Sequence, residues 1–176
     1  MNNTQVVVIS VPHTGTNFTT KLFKDQGYQD CSLCQLVEGK AVYQGHVSHL
    51  SERTLAKQKA RSMPLILPFR HPFRVEESWK RRRKPVTDMV TQFRDYLREF
   101  TPLSHFLLPV DSPKREKAIA ALNAGLSLAL TPDWDHIARG VSGTHDLKLE
   151  DCRPSQEVQE LAREMKPLLE EWYGDV

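Results

Sequence analysis

Short apolar runs alternate with segments of helical spacing along the chain. The run 5–11 is almost continuously apolar, which is typical of a parallel strand covered on both faces. The runs 40–46 and 64–69 predict two more strands, and 145–151 predicts a fourth. Helices are predicted at 16–26, 52–62, 72–84, 86–100, 112–130 and 154–172, the last interrupted at Pro167. This alternation predicts an α/β protein with three α/β/α layers and a mainly parallel central sheet of about four strands.

The length of the chain fits one domain over residues 1–176. A chain of 176 residues buries roughly two-thirds of its unfolded surface on folding, and we find no internal repeat or linker in it. The segments 28–39 and 101–112 are predicted to be loops, and 86–130 is predicted to cover a functional site at the sheet.

Charge is balanced overall but concentrated locally. The net charge of +2, from 24 Lys+Arg and 22 Asp+Glu, points neither to nucleic acid nor to a membrane as partner. Seven cationic residues nevertheless fall within fifteen positions: Arg70, Arg74, Lys80, Arg81, Arg82, Arg83 and Lys84. The sequence therefore predicts a basic face on a nearly neutral molecule.

Cysteine usage and the N-terminal segment bear on the compartment. The three cysteines, Cys31, Cys34 and Cys152, are too few for the disulfide framework of a secreted protein, which favours a reducing environment. The chain begins without a cationic start and long apolar core, and no later segment approaches the ~18 apolar residues of a membrane span. We therefore expect a cytoplasmic protein without a membrane partner.

A loop of small polar residues, PHTGTNF at 12–18, joins the first predicted strand to the first predicted helix. Such a loop presents backbone N–H groups at a helix N-terminus, which favours an anion such as phosphate. In a parallel sheet, ligands bind at the carboxyl ends of the strands, and His46 and Arg70 also follow predicted strands. The loop lacks the lysine and the second glycine of the G-x-x-x-x-G-K-[ST] nucleotide loop, and an ordinary tight turn is the alternative.

The same loop resembles the 5′-phosphosulfate loop of sulfotransferases that use 3′-phosphoadenosine 5′-phosphosulfate (PAPS). That family commonly reads Pro, Lys or Arg, Ser, Gly, Thr, Thr and then an aromatic residue. A second family motif, an Arg followed by Pro two residues on and Ser eight residues on, is matched by RHPFRVEES with Arg70, Pro72 and Ser78. LKLEDC at 147–152 is similar to a later family strand, so the resemblance spans residues 6–152.

The resemblance implies a P-loop NTPase-like fold, PAPS as donor, 3′-phosphoadenosine 5′-phosphate (PAP) as product, and no metal. It implies that the donor is bound by Pro12, His13, Thr14, Gly15, Thr16, Asn17, Phe18, Arg70 and Ser78. Arg70 and Ser78 would hold the 3′-phosphate, and Phe18 would lie against the adenine. Backbone and hydroxyl donors at 14–17 and the planar guanidinium of Arg70 suit these roles. The alternatives are a surface ion pair for Arg70, a helix-surface serine for Ser78 and a core aromatic for Phe18.

The chain departs from the family at two places. His13 stands where Lys or Arg is usual, and we expect nearby phosphates to raise its pKa so that protonated His13 assists the leaving group. The family's C-terminal Arg-Lys-Gly loop, which also holds the 3′-phosphate, has no counterpart. The basic run 80–84 or Arg139-Gly140 would replace it, while a solvated helix end is the alternative for the run.

Sulfuryl transfer to a hydroxyl needs a base, and a histidine after a short strand serves as base in the resembled family. His46 is therefore the first candidate, His49 the second and Glu38 the third. Cys31 and Cys34 precede these histidines at nearly the spacing of a zinc site, but both later gaps are one residue short.

These observations predict a sulfotransferase that acts on a hydroxyl or amine of a small-molecule, glycan or peptide acceptor, without a nucleic-acid partner. The acceptor and the oligomeric state are left open by the sequence. One alternative is an ATP-dependent P-loop phosphotransferase, although no strand offers a clear Mg²⁺-binding aspartate beside the loop. Another is a non-catalytic module that binds a nucleotide or polyanion through 80–84.

Overall fold

A computed structural model describes residues 5–134 and 147–174 of the chain. The strands of the central sheet are β1 Gln5–Ser10, β2 Gln29–Ser32, β3 Ala41–His46, β4 Leu65–Phe69 and β5 Phe106–Pro109. They form one five-stranded sheet in the order β2-β3-β1-β4-β5, and each neighbouring pair is parallel. The predicted α/β class with a parallel sheet is confirmed, with five strands where about four were predicted.

Helices lie between most pairs of successive strands, and others follow β5 in the described part of the chain. They are α1 Thr16–Lys24, α2 Leu50–Lys59, α3 Pro72–Arg81, α4 Val86–Phe100, α5 Arg115–Leu126, α6 Gln156–Glu164 and α7 Lys166–Tyr173. None of these helices, within 5–134 and 147–174, is long and apolar enough to cross a membrane.

Two hydrophobic clusters cover the two faces of the sheet, which confirms the three-layer arrangement. Successive residues of a strand point to opposite faces, so Val6 and Val8 of β1 pack with α1 and α5. Val7 and Ile9 pack on the other face, with residues of α2, α3, α4 and α6. The continuous apolar run of β1 is thus explained by burial on both sides.

Three strand predictions need correction. β2 and β5 lie in segments predicted to be loops: β2 is an edge strand with three of its four residues exposed, and β5 has only four residues and ends in proline. The strand predicted at 145–151 is wrong where it is described, because Leu149–Asp151 forms a 3₁₀ turn. Residues 145 and 146 of that prediction lie outside the described residues.

The strand order makes the carboxyl end of β1 the natural position for a site. β1 lies between β3 and β4, so the chain crosses to one side of β1 early and to the other side later. Ligands of open α/β sheets bind where the connections diverge in this way. The loop that leaves β1 therefore starts at this point.

Candidate functional site

The loop after β1 is a closed turn that exposes the N-terminus of α1. Thr14 donates both its backbone N–H (3.2 Å) and its hydroxyl (2.6 Å) to the Val11 carbonyl. His13 and Gly15 have positive φ values of 72° and 111°, which turns the backbone tightly before the helix. Both donors of Thr14 are thus engaged within the loop in this structure, and the role of Thr14 in binding the donor stays a prediction.

The first amides of α1 are directed out of the helix. Gly15 is the N-cap, no side chain caps the helix, and Thr19 N–H donates to the Gly15 carbonyl at 2.9 Å. The N–H groups of Thr16, Asn17 and Phe18 precede this bond, so they have no acceptor in the first turn of the helix. Together with the helix dipole they give this end of the loop a partial positive charge, and the predicted binding of an anion here stays a prediction.

Gly15 is required by both its backbone conformation and its surroundings. A Cβ at this position would lie 2.9 Å from both methyl groups of Val110, and φ is +111°. We expect Gly15→Ala to lower the free energy of unfolding by about 2–3 kcal/mol, measured by urea denaturation. Gly27→Ala is the matched control because Gly27 has φ +80° but open space around it, and its expected cost is about 1 kcal/mol. Equal losses in the two variants would show that the Val110 contact is unimportant.

His46 is brought to the loop by strand register. Ser10 and His46 are partners at the carboxyl ends of β1 and β3, and Ser10 Oγ lies 3.3 Å from His46 Nδ1. Ser10 Oγ also makes a short hydrogen bond with Thr16 Oγ1 at the start of α1. The backbone N–H of His46 donates to Glu52 Oε2 at 2.5 Å. His46, the first candidate base, is therefore joined to the loop after β1 through one buried serine.

The protonation state of His46 suits a base. Burial lowers its pKa below 6.5, and the Glu52 carboxylate opposes this shift only in part. His46 is thus neutral at pH 7. His49, the second candidate, is exposed at the start of α2, and Glu38, the third, precedes β3 at the opposite end of the sheet. The candidacy of Glu38 is therefore wrong.

His13 is neutral in the protein without a ligand. Burial is the main cause that lowers its pKa to about 4, and the positive charges of Arg82 and Lys84 contribute to this shift. Its Nε2 is buried and has no hydrogen-bond partner among the described residues. The predicted rise in the pKa of His13 referred to the phosphate-bound protein, so any such rise must start from this low value.

Arg70 is held beneath the loop by a buried carboxylate. Its side chain is 1% exposed, Nη1 donates to the His13 carbonyl at 3.2 Å, and Nε lies 3.5 Å from Asp111 Oδ2. Arg74 Nη1 lies 3.1 Å from the same oxygen, and the Tyr173 hydroxyl donates to the other carboxylate oxygen. The surface ion pair considered for Arg70 is therefore wrong. Sequence reasoning missed Asp111, whose signal was an acidic residue after the apolar run 106–110.

Ser78 and Phe18 are both buried, with different surroundings. Ser78 is 1% exposed, and its hydroxyl has no hydrogen-bond partner in the described part of the chain. It is therefore not a helix-surface serine. Phe18 packs in the core on the α1 side, with its ring centroid 5.1 Å from that of Trp134. The core alternative describes Phe18 in this structure, and its role against adenine stays a prediction.

The basic run 80–84 contains one residue that stabilises the fold and two residues whose charges act on the loop after β1. Lys80 Nζ lies 3.1 Å from the buried Glu76 carboxylate and donates to the Arg153 carbonyl at 2.7 Å, so it stabilises the fold. Arg82 and Lys84 are exposed, and their charges reach His13. Arg139-Gly140, the other candidate replacement for the family's C-terminal loop, lies outside the described residues.

A cavity of about 560 Å³ opens beside Asp111 at the carboxyl end of β5. Its walls include the cationic side chains of Arg74, Arg115 and Lys148 and the ring of Tyr173. Its volume is within the roughly 300–1,000 Å³ of small-molecule sites. Asp111, in its wall, also contacts Arg70, so the cavity adjoins the carboxylate that faces the Arg70 guanidinium.

The side chains of the possible zinc site lie on different faces of the sheet. Cys31 packs with Tyr43 on one face, whereas His46 contacts Ser10 on the other. In residues 5–134 and 147–174, no three His, Cys, Asp or Glu side chains are grouped so that they could hold a metal ion.

Comparison with known proteins adds no family assignment. No protein-family model matches this chain, and no curated protein is significantly similar to it. The support for a function therefore comes from the sequence motifs and from the geometry of the loop, His46 and Arg70.

Proposed function

We propose that this protein is a sulfotransferase that transfers the sulfuryl group of PAPS to a hydroxyl or amine of an acceptor. The observation that carries the proposal is the contact between the two motifs that resemble the family's donor site. The guanidinium of Arg70, from the second motif, donates to the His13 carbonyl of the loop at 3.2 Å. A ligand with phosphates at its 5′ and 3′ ends has the length and charge to engage both motifs.

The chemistry follows from the residues around the loop. The amides of Thr16 and Asn17 would hold the 5′-phosphosulfate, with the helix dipole favouring its charge. The acceptor oxygen forms a bond to sulfur while the bond from sulfur to the bridging oxygen breaks, and that electron pair leaves on the 5′-phosphate of PAP. His46 takes the acceptor proton on Nε2, because Nδ1 lies against Ser10. Holding both reactants in line would supply much of the acceleration.

The chemistry of the cysteines agrees with a cytoplasmic enzyme. Cys31, Cys34 and Cys152 are all free, and burial raises the pKa of the Cys31 and Cys152 thiols. Such thiols persist unmodified in a reducing compartment. The acceptor would be a small molecule, a glycan or a peptide with a free hydroxyl or amine.

Calorimetry with three ligands separates this proposal from its alternatives. We expect PAP to bind more tightly than ATP with Mg²⁺ or than a single-stranded oligonucleotide. Tightest binding of ATP with Mg²⁺ would favour a phosphotransferase, and tightest binding of the oligonucleotide would favour a polyanion-binding module. PAP binding without sulfate transfer from PAPS to a phenol, a monosaccharide or a tyrosine peptide would contradict the catalytic part.

Ser78→Ala tests the 3′-phosphate role without disturbing the fold. The Ser78 hydroxyl is buried and lacks a hydrogen-bond partner among the described residues, so its removal should leave the melting temperature unchanged or higher. We expect PAP to bind about tenfold more weakly and adenosine 5′-phosphate to bind equally well. Ser155→Ala is the control, because the Ser155 hydroxyl is also buried and without a described partner but lies at the start of α6. Equal loss for both nucleotides would assign Ser78 a structural role.

A further inference from the structure

The turn between α3 and α4 is fixed against the loop after β1 by Trp79. The Trp79 indole is buried, and its Nε1–H donates to the Pro12 carbonyl at 3.4 Å. The edge-on contact between the rings of Trp79 and His13 has a centroid distance of 6.1 Å. One side chain of α3 thus contacts two successive residues of the loop.

The end of α3 directs Lys84 back over this indole. Arg83 has a left-handed φ of 54°, its N–H donates to the Lys80 carbonyl at 2.9 Å, and the Lys84 N–H donates to the Trp79 carbonyl at 3.1 Å. These two bonds form a Schellman motif, which reverses the chain at a helix end. The Lys84 ammonium lies 5.4 Å from the centroid of the Trp79 ring, a cation–π distance. The position of Lys84 is therefore set by the Schellman hydrogen bonds and by the contact of its ammonium with the indole.

A phosphate in the loop would be held more strongly by a full positive charge nearby than by amides alone, and the residues of the loop do not provide one. His13 is neutral at pH 7 because its pKa is about 4. Arg70 is 1% exposed and directed at Asp111 and the His13 carbonyl. Lys84, by contrast, is exposed, and its charge acts both on His13 in the loop and on His46 at the end of β3.

We propose that Lys84, positioned by Trp79, is the cation that binds the 5′-phosphate of the donor in the loop after β1. Lys84 would then remain beside that phosphate as it takes up the electron pair of the broken bond to sulfur. This inference rests on the proposed function, since it requires a nucleotide 5′-phosphate in the loop. In this proposal the positive charge beside the 5′-phosphate comes from the turn between α3 and α4, because His13 is neutral in the free protein.

A pair of nucleotides isolates the interaction. Calorimetry would compare PAP with adenosine 3′-phosphate, which lacks the 5′-phosphate, in the wild type and in Lys84→Met. We expect Lys84→Met to weaken PAP about tenfold and to leave adenosine 3′-phosphate unchanged. Arg83→Asn is the matched control because it removes the neighbouring charge while asparagine suits the left-handed backbone. Its expected effect on either nucleotide is less than about threefold.

An NMR titration of the ligand-free protein gives a second readout. Lys84→Met should raise the pKa of His13 more than Arg83→Asn does. Besides its own burial, the groups whose charges act on His13 are Arg82, Lys84, His46 and Arg70. The Lys84→Met variant removes only one of these charges. An unchanged His13 pKa would place Lys84 away from the loop and overturn the inference.

The outcomes separate this inference from the proposed function. Wild-type protein that binds PAP, with equal affinity in Lys84→Met, would overturn the role of Lys84 and leave the sulfotransferase proposal standing. Wild-type protein that binds neither nucleotide at millimolar concentration would overturn both. Equal weakening of both nucleotides in Lys84→Met would also reject contact with the 5′-phosphate.

Discussion

Replacing Asp111 with asparagine is expected to lower the free energy of unfolding by about 3–5 kcal/mol at pH 7. The Asp111 side chain is 2% exposed, and it lies between the guanidinium groups of Arg70 and Arg74. Asparagine has nearly the same shape but no charge, so the variant removes the carboxylate charge that faces the buried guanidinium of Arg70. Removing one member of a buried ion pair is costly for this reason. Urea denaturation of both proteins measures the difference.

The loss should depend on pH in a definite direction. Burial alone would raise the pKa of Asp111, but the positive charges of Arg70 and Arg74 hold it below 3.8. A carboxylate with a lowered pKa stabilises the fold above the pKa of the unfolded chain, and this stability is lost as pH falls through the folded value. The difference between wild type and Asp111→Asn should therefore shrink below about pH 4.

A surface carboxylate provides the control for this measurement. Asp25 pairs with Lys21 at 2.7 Å, but its side chain is 57% exposed. Asp25→Asn should change the free energy of unfolding by less than about 0.5 kcal/mol, because water screens such pairs. An Asp111→Asn protein as stable as the wild type at pH 7 would mean that the Arg70 charge is compensated elsewhere.

The strands that could be predicted are those whose burial is continuous in the sequence. β1 and β4 are apolar runs buried along nearly their whole length. In β3, four of the six residues are buried and two are half-buried. β2 is an edge strand with one buried residue, so it carries no strong apolar pattern. β5 lies in the segment 101–112, whose two prolines predict a loop, and Asp111 is missed with it. Edge position and short length therefore account for the missing strands.

The site could be predicted where it depends on local sequence and not where it depends on distant contacts. The loop geometry at Gly15 and the position of His46 at a strand end follow from neighbouring residues. The neutral state of His13 does not, because it results from burial and from charges about 70 positions away in the chain. The contact of Trp79 with Pro12 is equally distant in sequence.

The largest effect on catalysis is expected for His46→Gln. Loss of a general base typically lowers kcat by about 10²–10⁴, and glutamine cannot accept the acceptor proton at neutral pH. PAP affinity should be unchanged, because His46 contacts Ser10 and not the amides of the loop. The rate would be followed as PAP release from PAPS with a phenol, a monosaccharide or a tyrosine peptide as acceptor. His49→Gln is the control, since His49 is exposed three positions later.

The pH profile of the wild type gives an independent check on this assignment. A base must be neutral to act, and burial lowers the pKa of His46 below 6.5. With acceptor and PAPS at fixed concentrations, kcat/KM should stay constant from pH 8 down to about 6.5 and fall only at more acidic values. A fall that begins above pH 7 would contradict a base whose pKa is lowered by burial. Full activity in His46→Gln with loss of activity in His49→Gln would transfer the role of base to His49.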